Sequence, residues 1–194
     1  MLLTFARCGA NIFLLLTSLT LFAQNKVEVE RSVSASQVPS AARDWLSEMY
    51  ASTSQVHWYL EKSSDGTSYE AKLRQRGAWH SVEFGEDGTL QDVEITFELN
   101  NLPESVRQGM EAYFDTAYAK HRIRKIQQQL TGPPDMVRAV VHGNSAKGVT
   151  YRYEAEFYGK NDQDKALWEG LFDDQGQLLE RRRIVLRPTD NLVY

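Results

Sequence analysis

The chain has 194 residues, 42% hydrophobic and 25% charged, with 22 basic against 26 acidic side chains and a single cysteine. The formal net charge of −4 argues against nucleic-acid binding, which needs an excess of basic surface. One cysteine permits neither an intramolecular disulfide nor a thiolate metal centre, so stability has to come from a packed core.

The first element is a leader. One basic residue, Arg7, precedes an apolar run from Ile12 to Leu16 that continues through Leu19, Leu21 and Phe22 to Ala23. This predicts a secretory signal peptide over 1–23, too short and too interrupted to span a membrane as a helix. Cys8 follows Phe5-Ala6-Arg7, which is not the small-residue context of a lipid-anchored export signal. The expectation is an exported protein, periplasmic or secreted, with no membrane anchor. Residues 24–37 form a lead-in where Val27, Val29 and Val33 alternate weakly among charged residues and serines. Either a short edge strand or an unstructured segment fits that pattern.

A first module is expected over 38–100. Behind Val38-Pro39, the residues Ala42, Trp45, Leu46, Met49 and Tyr50 recur at helical spacing and give one buried stripe. Proline suits such a helix start because its missing N–H would have had no partner there. Four alternating strands follow. Val56, Trp58 and Leu60 face away from His57 and Tyr59; Tyr69, Ala71 and Leu73 from Glu70, Lys72 and Arg74; His80, Val82 and Phe84 from Trp79, Ser81 and Glu83; Val93, Ile95 and Phe97 from Glu94 and Thr96. Turns at Ser64-Asp65-Gly66 and Glu86-Asp87-Gly88 connect them. Period-two alternation of this kind predicts an antiparallel sheet with one face under the helix and the other outward.

A second module is expected over 101–187. Behind Leu102-Pro103 come Val106, Gly109, Met110, Tyr113 and Phe114, each 64 positions after its counterpart; Tyr69-Glu70-Ala71 recurs as Tyr153-Glu154-Ala155 at an offset of 84, and Phe84 to Leu90 as Phe172 to Leu178 at 88. The growing offset implies two insertions, the larger holding the loop-like Thr131-Gly132-Pro133-Pro134 and Gly143 to Gly148. Trp168 and Phe172 take the places of His80 and Phe84, and Leu167 that of Trp79. Arg181-Arg182-Arg183 interrupts the alternation of the last strand, so a bulge or an arginine at the sheet rim is expected there. Residues 188–194 read as a tail. The fold class expected is α+β: two tandem modules, each one helix packed on a four-stranded antiparallel sheet.

No reaction centre is legible. His57, His80, His121 and His142 lack metal-site spacing, no serine lies in a nucleophile elbow, and no glycine-rich phosphate loop follows a strand. The acidic runs Asp162-Gln163-Asp164 and Asp173-Asp174-Gln175-Gly176 lack the spacing of a calcium loop and read as turns. No catalytic residue, metal ligand or cofactor is expected.

The paired Val-Pro and Leu-Pro helix starts, the two Tyr-Glu-Ala strands and the two Phe-x-x-x-Gly-x-Leu turns resemble the PepSY-like family, also described as β-lactamase-inhibitor-like. The resemblance covers nearly all of the chain after the leader, and its motifs are structural ones. It implies an exported protein, in a family mostly of unknown activity. β-Lactamase inhibitory proteins of similar build grip an enzyme on the outer sheet surface through aromatic and charged side chains. This chain departs from them in lacking disulfides, and no inhibitory loop carries over residue by residue.

The expected function is a non-enzymatic binding module for another envelope or secreted protein. Its partner-binding residues are His57, Tyr59, Arg74 and Trp79, joined by Leu167, Arg181 and Arg183, since tyrosine, tryptophan and arginine dominate such contacts. Trp79 and Tyr59 covered by the other module is the plain alternative. A carrier of a small ligand or peptide, with a pocket between helix and sheet lined by Trp45, Trp58 and Tyr69, is the second functional reading. An enzyme, third, would need acids, histidines or metal ligands to converge in one cleft.

Overall fold

The computed structural model describes residues 25–26, 29–50, 55–63, 66–162 and 164–184. The expected signal peptide, the Ser64-Asp65 part of one turn and the tail lie outside them. Two short segments open the described chain, β1 (Asn25–Lys26) and β2 (Val29–Val33), followed by α1 (Ser40–Met49). The strands β3 (His57–Ser63), β4 (Gly66–Gln75), β5 (Ala78–Gly85) and β6 (Leu90–Phe97) form an antiparallel meander. After α2 (Glu104–Ala117) come β7 (Lys120–Thr131), α3 (Pro134–Val141), β8 (Thr150–Lys160), β9 (Lys165–Phe172) and β10 (Leu178–Ile184).

Two separate four-stranded modules are not what the chain builds. Strands β2 to β10 make one continuous antiparallel sheet, and β1 adds a short parallel pairing on β10. The joint is β6 against β7, from Val93↔Leu130 to Phe97↔Ile126. Left apart, each module would present two edges of unpaired N–H and C=O groups; pairing β6 with β7 removes one edge from each and satisfies their backbone donors and acceptors.

Two core clusters lie side by side on one face. The first gathers Leu46 and Met49 of α1 with Trp58, Ala71, Val82, Phe84 and Val93 of the sheet. The second gathers Val106, Met110 and Phe114 of α2 with Ile126, Ala155, Phe157 and Phe172. Both α1 and α2 are preceded by a proline with φ −51° and dock on the turn that follows a buried phenylalanine. A Cβ on Gly88 would meet Pro39 Cβ at 2.9 Å, and one on Gly109 would meet the Gln175 carbonyl oxygen at 2.2 Å. The larger insertion, expected to be loop, carries α3, whose buried Val137 joins the first core and not the second.

The sheet curls strongly. Lys26 pairs with Ile184 of β10, and Val29 pairs with Lys62 of β3. Three residues reach at most about 11 Å, so the two sheet edges approach each other. Right-handed twist over so many strands tends to this shape, and the register shifts at Glu83/Phe84, Ile123/Lys125 and Leu178/Glu180 sharpen the bend. All three helices pack on one face. Across the other, the curl folds the sheet around a groove.

Candidate functional site

The ladder register sets the side chains of that helix-free face in rows. One row runs Ser32, Tyr59, Glu70, Glu83 and Asp92; the next runs His57, Lys72, Ser81, Glu94 and Gln129. On the far side Gln127, Glu154, Leu171 and Glu180 form a row, followed by Lys125, Glu156, Glu169 and Arg182. Between them lies a groove of about 450 Å³ whose lining reaches from Glu30 on β2 to Arg182 on β10. Residues of β2 and β10, the two ends of the antiparallel run, thus face one space. Ten carboxylates and only three cations, Lys72, Lys125 and Arg182, line it, and Leu171 is the one apolar residue among the described lining.

The three cations hold the carboxylates together. Lys72 Nζ donates to Glu30 at 3.0 Å and lies 2.8 Å from Glu70 Oε2, while Ser81 donates to the other Glu70 oxygen. Burial alone would lower the Lys72 ammonium, but Glu70 and Glu30 outweigh it and hold it above its ordinary value. Burial would likewise raise the Glu70 carboxyl, and Lys72 with its hydrogen bonds holds it below. Lys125 pairs with Glu156 at 3.5 Å, and Arg182 with Glu180 at 2.8 Å. Asp92 is the exception. It is buried, and desolvation, reinforced by Glu83, Glu154 and Glu70 against one hydrogen bond from Gln129, pushes its carboxyl up to about 8. At neutral pH it keeps its proton.

Acids do converge in one cleft, which the enzymatic reading required. Carboxyls of unlike proton affinity are also the raw material of acid–base chemistry. Among the described residues the lining is polar apart from Leu171. Glu30, Glu61 and Glu70 bring oxygen atoms within 4.8 Å of one another. The Lys72 ammonium is already the counter-ion of two of them, which leaves a metal little to gain.

The expected site residues divide between the two faces. His57, Tyr59, Arg74 and Trp79 all lie on the helix-free face, with Arg74 directly opposite Trp79. Trp79 is 53% exposed, so no second module covers it, and Lys72 Nζ sits 4.8 Å from the Tyr59 ring centroid. Leu167 faces the same way opposite Tyr158 but is only 6% exposed and offers little surface. Arg181 and Arg183 lie on the helix-bearing face because the bulge before Glu180 shifts the register. Arg181 donates to the Tyr118 hydroxyl at 2.8 Å and stacks over Trp168 at 4.3 Å, and Arg183 pairs with Asp164. Arg181 is thereby packed against the second core, whereas Arg183 stays exposed at the rim of the helix-bearing face.

Sequence reasoning missed the carboxylate groove itself. Its acids come from eight different strands, and only the curl brings them together. The expected carrier pocket is not formed by its three aromatic residues. Trp45 and Trp58 pack on Phe84 at centroid distances of 5.8 and 6.0 Å, and Tyr69 packs against the same cluster. An open groove of about 510 Å³ does lie between α1 and β2–β3, lined by Trp58 but by neither Trp45 nor Tyr69.

No protein-family model matches the sequence, and no curated protein is similar to it. Solved structures are. A DUF2874 family protein of Bacteroides ovatus superposes with a TM-score of 0.52 at 18% identity, over 80% of this chain and 98% of the other. A protein of Bacteroides eggerthii, provisionally described as periplasmic, superposes at 0.53 with 14% identity over 75% and 88%. A BLIP-like protein of Bacteroides fragilis superposes more loosely, at 0.49 with 14% identity over 81% and 92%, too loosely to bear on function. At these identities the likeness shows the fold. Among the described residues no helix is long and apolar enough to cross a membrane.

Proposed function

We propose that this chain is an exported, non-enzymatic binding module that receives part of another envelope or secreted protein on the helix-free face of its sheet. The observation that carries the reading is the one-sided packing. Among the described residues three helices cover one face and none covers the other, where a concave groove opens beside an exposed tryptophan. A large exposed aromatic beside a charged rim is the make-up of a contact surface. The leader-like run at 1–23 supports export, as does the described location of the Bacteroides eggerthii neighbour.

The test replaces Tyr59 and Trp79 by alanine together and asks whether the protein still captures a partner from envelope extract. Because Trp79 is exposed, the double variant should keep a wild-type circular dichroism spectrum while capture is lost. Undiminished capture by the folded variant contradicts the reading.

A further inference from the structure

We infer that the groove takes an extended segment of the partner bearing lysine or arginine side chains, whose cationic ends are seated among the carboxylates. The inference rests on the binding reading above and adds the chemistry of what binds. Charge is the first argument. Nine acidic side chains besides Asp92, against three cations, leave the lining strongly acidic in a chain whose overall charge is only −4, and such a concave surface selects a positive guest.

The face already shows how it holds one. Lys72 places its ammonium 4.8 Å from the Tyr59 ring centroid and between Glu30 and Glu70. That is cation–π contact and charge-assisted bonding at the same cationic tip. Glu83, Glu94 and Glu154 lie on β5, β6 and β8 across the same groove, where the tips of a guest's side chains would reach.

Shape selects a polypeptide over a small ion. The lining runs round the curl from β2 to β10 and encloses about 450 Å³, the size of a site for a guest far larger than one ion, so several side-chain ends can be seated in it together. Exposed Trp79 lies on β5 two positions from Ser81 of the lining and offers the segment an aromatic surface as it leaves. With Leu171 as the single apolar residue of the described lining, an apolar ligand gains nothing here. Asp92 adds a dependence on pH. Facing Glu83 of β5, Gln129 of β7 and Glu154 of β8, with Glu70 of β4 beyond, it ionises only above about 8, so the groove becomes more acidic there while lysine stays charged.

The probe is a synthetic peptide of alternating lysine and threonine, titrated calorimetrically against the whole chain, with a glutamate-for-lysine peptide and spermine as comparisons. The lysine peptide should bind, should weaken steeply with salt, and should tighten as pH rises through about 8; the glutamate peptide should not bind. Replacing Glu83 and Glu154 by glutamine should weaken the lysine peptide about ten-fold, the loss of charge-assisted contacts. Binding that ignores peptide charge and salt overturns the inference, and so does spermine binding as tightly as the peptide. Neither of those readings needs a variant to fold. Partner capture separates the two levels. If the Tyr59 and Trp79 variant loses the partner while the Glu83 and Glu154 variant keeps it at low and high salt, the cationic segment is wrong and the surface stands. If neither variant changes capture, the surface itself is wrong.

Discussion

Arg138 of α3 reaches Glu48 of α1 at 2.9 Å, tying an insertion in the second half of the chain to the first helix of the other half. The same arginine lies 5.8 Å from the Trp45 ring, and its neighbour Val137 is fully buried in the first core. The halves are thus joined twice, by the β6–β7 ladder through the sheet and by α3 above it.

Val137→Ala should therefore destabilise the whole protein by about 2 kcal/mol, as loss of buried methyl groups does. Denaturant unfolding, followed by tryptophan fluorescence and far-ultraviolet circular dichroism, should show one coincident transition for wild type and variant. Two separated transitions would mean that the halves fold independently.

Gly109→Ala should cost more than about 3 kcal/mol, because its Cβ would lie 2.2 Å from a backbone carbonyl that the β9–β10 turn cannot withdraw. Gly77→Ala is the control. At φ +88° with open space around it, it should cost only about 1 kcal/mol of backbone strain. Equal losses in thermal unfolding would contradict the tight docking of α2 on the turn.

His80 is buried with its Nδ1 3.0 Å from the Tyr50 hydroxyl, and burial, with a smaller push from Arg76, lowers it to about 4. The unfolded chain binds a proton near 6.5 that the folded one refuses until about 4. Its contribution to stability is present in full above 6.5 and is lost as pH falls toward 4. His80→Gln, which keeps a polar partner for Tyr50 but does not titrate, should flatten that part of the stability profile measured by denaturant titration.

Asp92 has the opposite sign. Its folded value of about 8 lies above the ordinary 3.8, so the folded chain holds a proton that the unfolded one releases. That contribution is complete below 3.8 and is lost as pH rises through about 8. Asp92→Asn should unfold at higher temperature than the wild type above pH 8, and the difference should narrow on acidification. A difference that does not vary with pH would show that Asp92 is ionised throughout.

Local structure was legible where period and punctuation agree. Pro39 and Pro103 do precede α1 and α2, Phe84 and Phe172 are fully buried, and Trp79 faces away from the helices. Three features were not. Strand β7 hides its alternation behind Gln127-Gln128-Gln129 and a register shift at Ile123/Lys125. Helix α3 is only eight residues long and opens on Pro133-Pro134, which reads as loop punctuation. The pairing of β6 with β7 is a long-range choice that no local period records, and with it went the single sheet, its curl and the groove. A bulge that moves three arginines by one position also exchanged their faces, since side chains alternate at every residue.

The most direct test of the helix-free face is a photo-reactive amino acid placed at Trp79 or Glu83 on that face, or at Gln108 or Asp115 on α2, and irradiated in intact cells. The account predicts crosslinks to one partner protein from Trp79 and Glu83 and none from Gln108 or Asp115. Crosslinks from the α2 positions alone would contradict it.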